Sequence, residues 1–222
     1  MKYRKSKSAF TLLEMLVVMA LMVLLLSIGL VNFSGIGSSA ALNGTLNEMQ
    51  SITTYARQQA ILNNTPVNIY FHKSNPKSIT AEEAKYLYKD DSGSIIYEIW
   101  AMTNKTDKYN VTYNQLSKEL IKRAKKDEKN QDYDIKYGYQ LGTKNRISAG
   151  LDLSVTTKDT TDFKFSVDQT KAAYITILPS GSSPSANTSG EITLEIGPAD
   201  INDVGYKITI FSITGLTKVT EK

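Results

Sequence analysis

The chain is 222 residues long and 41% apolar, with a formal net charge of +4, a single histidine and no cysteine. That length accommodates one anchor and one ordinary globular domain. The absence of cysteine excludes a disulfide framework, thiolate catalysis and cysteine-based metal sites, so stability must come from packing. The positive excess is confined to the start: taking Lys2, Arg4, Lys5 and Lys7 from the 26 Lys plus Arg leaves 22 cations against 22 carboxylates, and the basic balance is no argument for a nucleic-acid partner.

Those four cations precede a small residue, Ala9, and an aromatic one, Phe10. One carboxylate, Glu14, follows, and then Met15 to Phe33 runs without a charge. As a helix that run covers about 28 Å, close to the ~30 Å hydrocarbon core of a bilayer. The excess of Lys and Arg before it, with none after it until Arg57, places the N-terminus in the cytoplasm and the bulk of the chain outside. A cleaved secretory signal is the alternative, with Ser38-Ser39-Ala40-Ala41 imitating its cleavage site, but a signal core gains nothing from a carboxylate. A charge at a bilayer centre costs about 2.5–3.5 kcal/mol, which makes Glu14 a functional residue by default, unless it snorkels to the headgroups one turn away.

The run Lys-Ser-Lys-Ser-Ala-Phe-Thr-Leu-Leu-Glu-Met, residues 5–15, resembles the prepilin N-terminal signal of type IV pilins and type II secretion pseudopilins. The resemblance implies cleavage between Ala9 and Phe10 by a membrane prepilin peptidase and N-methylation of the new Phe10 amine by the same enzyme. The family usually carries Gly before the cut, so Ala9 implies slower processing. Glu14 lies four residues after Phe10, the spacing that shares a helix face. Within a bundle, the carboxylate of one subunit would meet the amine of its neighbour and set their register, since each charge is costly alone in hydrocarbon and much cheaper paired. The fold expected from this likeness is α+β and pilin-like: a leader over 1–9, a transmembrane or filament-core helix over 10–33, an amphipathic half over 34–64, and a head of antiparallel sheet over 66–222.

In chain order, Ser34-Gly35-Ile36-Gly37-Ser38-Ser39 reads as a helix that continues but is soft, with a plain linker as the alternative. Leu42, Leu46, Met49, Thr53, Ala56 and Ala60 form one apolar stripe of a 3.6-period helix, with Asn43, Asn47, Gln50, Arg57 and Asn64 opposite. Asn63-Asn64 predicts the stop, which Pro66 enforces. Val67, Ile69 and Phe71 alternate with Asn68 and Tyr70, predicting a strand with one buried face. The helix-to-strand junction, residues 55–71, is similar to that of H-type minor pseudopilins and their T-type fimbrial relatives.

The middle, 73 to about 150, looks like an insertion relative to that family. It contains a capping box at Thr80 opening a short helix through Tyr88, a turn at Asp90-Asp91-Ser92-Gly93, a strand over Ile95 to Met102 and a helix over Leu116 to Lys126 with a basic end. The cationic run from Lys122 to Lys129 reads as a solvated face, or as a contact for an acidic partner. Tyr133, Tyr137 and Tyr139 are expected at a sheet edge. Strands are predicted over 162–167, 172–178, 191–196 and 206–213, with a polar loop between Pro179 and Gly190. Ile-Leu-Pro-Ser-Gly, Gly-Glu-Ile-Thr-Leu and the closing Thr214-Gly215 resemble the C-terminal sheet of the H-type family.

The catalytic inventory is sparse. His72, at the end of the first strand, is expected on the surface, with no His-x-x-x-His or His-Glu spacing for a metal. Glu82-Glu83 and Asp90-Asp91 sit in turn or helix-start contexts; Asp200 and Asp203 either line a polar turn or offer oxygens to calcium. No Gly-x-Ser-x-Gly elbow occurs. The expectation is a structural minor pilin or pseudopilin rather than an enzyme, without cofactor or metal. Its partners by resemblance are the prepilin peptidase, other pilins and an inner-membrane assembly platform driven by a cytoplasmic ATPase. A competence or surface-pilus subunit whose head binds DNA or another ligand, and a membrane-anchored enzyme or binding module, are the alternatives.

Overall fold

The computed structural model describes residues 12–73, 94–103, 111–129, 135–148, 150–157, 163–164, 172–184, 190–199 and 205–221, with only the backbone of residues 24–38 and 163–164. The chain divides into two units, Met1–Ala41 and Leu42–Lys222.

One helix, α1 (Leu12–Asn63), contributes to both units and runs unbroken through Gly35 and Gly37. Its first part is apolar on every side: Leu12, Leu13, Met15, Leu16, Met19 and Val23 are all more than half exposed. A helix apolar all round belongs in a buried or membrane environment. Among the described residues no helix is long and apolar enough to cross a membrane, and the side chains that would extend the Leu12–Val23 segment, residues 24–38, lie outside that set.

In the second unit the expected stripe is the buried one. Leu42, Met49, Thr53, Ala56 and Ala60 are each less than a tenth exposed, and Leu46 packs beside them. The helix ends at Asn63; Asn64 enters the left-handed region at φ 50°, which asparagine tolerates, and the Thr65 N–H closes back on the Ala60 carbonyl at 3.2 Å. Pro66 then starts the chain toward β1 (Val67–Lys73).

The other elements are β2 (Ile95–Met102), α2 (Tyr113–Asp127), β3 (Gly138–Gln140), β4 (Asn145–Arg146), β5 (Leu151–Thr156), β6 (Phe163–Lys164), β7 (Ala173–Ile177), β8 (Glu191–Pro198), β9 (Tyr206–Phe211) and β10 (Thr217–Glu221). They form two antiparallel sheets, β3-β2-β1-β7 with β4 also on β2, and β10-β9-β8-β5-β6. The protein is thus α+β, an N-terminal helix followed by an antiparallel sheet domain. Its main core joins the α1 stripe to Val67, Ile69 and Phe71 of β1, Ile175 and Ile177 of β7, and Leu153, Leu194 and Ile208 of the second sheet.

The structure departs from two expectations. β1 was expected to bury one face and buries both, because α2 covers the second. Tyr70, Trp100 and Met102 form a second core with Val111, Tyr113 and Leu116. Arg57, placed on the outer face of α1 by the helical period, is half-buried because two turns close over it. The stretch taken as an insertion supplies β2, an inner strand, and α2. The capping-box helix at Thr80, the 90–93 turn and Tyr133 lie outside the described residues. Tyr137 packs against the second core and Tyr139, on edge strand β3, is half exposed.

Candidate functional site

The residues that the sequence marks for processing, Lys2, Arg4, Lys5, Lys7, Ala9 and Phe10, lie outside the described residues. Glu14 is described: it is the acid of the first turn of α1, in a segment whose other side chains are apolar and exposed. A carboxylate near a helix N-terminus is favoured by the helix dipole, which lowers the cost of keeping it in such surroundings.

A second constellation emerges in the head, around Glu98. This carboxylate is fully buried. Its Oε1 accepts from His72 Nε2 at 3.0 Å, from Lys144 Nζ at 3.0 Å and from the Tyr113 hydroxyl at 3.2 Å; its Oε2 accepts from Trp100 Nε1 at 3.0 Å. Strand register explains the gathering. His72 on β1 and Glu98 and Trp100 on β2 point to the same face of their sheet, the face that α2 covers with Tyr113. Burial pushes the Glu98 carboxyl up, but the His72 hydrogen bond, Lys144 and Trp100 together outweigh it and hold the group at about 2.

His72 is therefore not the surface residue that its strand-end position suggested. It is fully buried, its ring is stacked on Tyr113, and its Nδ1 stands 3.0 Å from the Lys73 carbonyl. Its two ring nitrogens thus stand within hydrogen-bond distance of the Lys73 carbonyl and the Glu98 carboxylate. The cluster ties β1, β2, α2 and Lys144 together through one carboxylate whose two oxygens carry four donors. A signal for it existed in the sequence: Asn68, Tyr70 and His72 on one strand, and Glu98 and Trp100 on the next, are polar or aromatic at period two.

Elsewhere, Tyr97 donates its hydroxyl to Glu48 on α1, and burial together with that carboxylate pushes its phenol up. Lys122 and Arg123 of the basic run are exposed, Lys122 pairing with Glu119 at 2.7 Å and Arg123 with Asp127 at 3.7 Å. Among the described residues no three His, Asp or Glu side chains are grouped to hold a metal. Glu82, Glu83, Asp90, Asp91, Asp200 and Asp203 lie outside those residues.

Residues 4–30 match the prokaryotic N-terminal methylation motif, and residues 45–214 match the family described as type II transport protein GspH. No match was found among curated proteins. Among solved structures, the chain is similar to the minor pseudopilin EpsH from the type 2 secretion system of Vibrio cholerae, at 10% identity and a TM-score of 0.42 over 81% of this chain and 96% of that one. It is also similar to the type IV minor pilin FimU of Pseudomonas aeruginosa, at 11% identity and a TM-score of 0.37 over 82% of this chain and 92% of that one.

Proposed function

Because the chain belongs to the type II transport protein GspH family, and is thus a membrane-anchored structural subunit of a pilus or pseudopilus, we propose that it is a minor pseudopilin whose N-terminal segment is processed and then packed into a fibre. Cleavage falls between Ala9 and Phe10, and the Phe10 amine is methylated. The leader cations hold the N-terminus in the cytoplasm and the head stands outside the membrane. The partners are the prepilin peptidase, the other pilins of the system and its assembly platform.

The observation that carries this reading is the segment Leu12–Val23, apolar and exposed around its whole circumference, with one carboxylate in its first turn. Such a segment is unsuited to water and suited first to lipid and then to a bundle of like helices. In that bundle Glu14 meets the freed amine of an adjacent subunit. The pairing removes two isolated charges from hydrocarbon and fixes how far one subunit slides along the next. Methylation of the amine keeps its charge.

Mass spectrometry of the protein taken from its own membrane tests the processing step. A mature N-terminus at Phe10, methylated, is expected. An intact Met1, or a start near Ala40, overturns the reading.

A further inference from the structure

Near the end of α1 stands a cation, Arg57, with no counter-charge among the described residues. Three segments meet there: the last turns of α1, the turn after β7, and the turn between β9 and β10. Two glycines make room for Arg57 between them. A Cβ built on Gly181 (φ 80°) would stand 3.0 Å from Arg57 Nε, and one on Gly215 (φ 63°) would stand 3.0 Å from Arg57 Cδ. Arg57 Nε is buried and has no hydrogen-bond partner among the described residues, and none of the ion pairs among those residues includes Arg57. The three segments themselves, residues 49–66, 179–190 and 205–218, contain no Asp or Glu. Glu191, in register with Phe211 at the start of β8, and Glu48 on α1 are the next carboxylates along the chain, and neither is ion-paired with Arg57 among the described residues.

Exposed apolar side chains stand on two of these three segments. Ile61, at 49% exposed, and Leu62, at 77%, close α1; Phe211, Ile213 and Leu216, at 37%, 84% and 58%, stand on the β9–β10 turn. That turn is held by the Gly215 N–H on the Phe211 carbonyl at 2.7 Å and the Phe211 N–H on the Leu216 carbonyl at 3.0 Å. Its apolar display is therefore fixed by backbone bonds. The side chain of Ile61 reaches Gly181 beside the Arg57 guanidinium, and Gly215 of the β9–β10 turn lies against the same arginine.

We propose that this tip is the face that receives a different pilin-type subunit of the same fibre, one presenting a carboxylate flanked by apolar side chains; the inference rests on the function proposed above. An arginine set among apolar groups is the composition of an interface centre rather than of a solvated surface. Its planar fork is matched best by a carboxylate. Two copies of this chain meeting tip to tip would bring like charges together, which disfavours self-pairing. A nucleic-acid phosphate would satisfy the cation but gain nothing from Ile213, and a single cation is a poor footprint for a polyanion.

The test uses the full-length chain in assembled fibres, with a photo-activated benzoylphenylalanine in place of Ile213 and, as control, in place of Tyr139 on edge strand β3. The Ile213 probe is expected to cross-link to another pilin-type subunit, at a peptide containing Asp or Glu when mapped by mass spectrometry. Arg57→Gln should reduce that cross-link roughly tenfold with an unchanged melting temperature. Ile213→Ser, at a site that makes no core contact, should lower incorporation without touching the fold. Cross-links only to a second copy, to nucleic acid or to lipid would overturn the proposal, as would a cross-link indifferent to Arg57→Gln. If the chain reaches fibres with a methylated Phe10 while the Ile213 probe stays silent, this inference alone fails. If it keeps Met1 and never reaches a fibre, the proposed function fails with it.

Discussion

The ring of His72 lies on the ring of Tyr113, with centroids 4.1 Å apart and planes 18° from parallel. This stacking joins the end of β1 to the first residue of α2, and both side chains hydrogen-bond Glu98. The second face of the sheet is thus closed by a polar seam as well as by apolar packing, and three predictions concern that seam and the N-terminal carboxylate.

Glu98→Gln removes the negative charge and leaves the shape. His72, Tyr113, Trp100 and Lys144 then face an amide, whose NH2 cannot accept from the donors that the carboxylate oxygen in its place served, and Lys144 loses its counter-charge. Breaking a buried pair from one side costs about 3–5 kcal/mol. Lys144→Met should cost far less, because that side chain is 34% exposed and water screens its pairing. Urea unfolding of the detergent-solubilised chain measures both. Equal midpoints for wild type and Glu98→Gln would remove Glu98 as the hub of the seam.

The same carboxylate predicts an acid dependence. Its folded value of about 2 lies below its ordinary value of 4.5, so the stabilisation is fully present above 4.5 and is lost as pH falls from there through about 2. Unfolding midpoints collected from about pH 6 down to about pH 2 should fall more steeply for wild type than for Glu98→Gln. Parallel curves would show that other carboxylates govern the acid limb.

Glu14→Ala should insert into the membrane as well as wild type, since it removes a charge from an apolar segment. It should be processed at Phe10 and yet be scarce in fibres, because the neighbour's amine loses its counter-charge. Immunoblots of sheared fibres against membrane fractions read this directly. Wild-type abundance of the variant in fibres would remove the pairing role.

The helix and most strands were legible because their patterns are local. The 42–60 stripe, the Asn63–Pro66 stop and the alternations in β1 and β7 to β9 each follow from a period and a breaker, and β2 from an apolar run after a turn. Short edge pieces were not: β4 has two residues, and β10 is largely exposed, leaving no apolar face for a pattern to mark. β5 alternates, with Leu151, Leu153 and Val155 facing inward, but it is six residues long and follows the irregular middle of the chain, which obscures its start. His72 and Arg57 were misplaced for a common reason. Each is polar at a position where solvent is the simplest neighbour, and each is buried by a segment distant in sequence: α2 for the first, two glycine turns for the second. The Glu98 seam needs the β1–β2 register, which neither strand reveals alone.

The passage from α1 into β1 occupies three residues, Asn64 to Pro66, and the next backbone bond of the sheet, the Met102 N–H on the Pro66 carbonyl at 2.8 Å, follows at once. Slack is therefore missing between the stripe that the helix inserts into the core and the alternation that the strand presents to it. Adding or deleting one residue in this passage would turn Val67, Ile69 and Phe71 toward α2 and swing Tyr70 and His72 into hydrocarbon. In this protein the length of a three-residue bend is constrained as tightly as the identity of any side chain it connects.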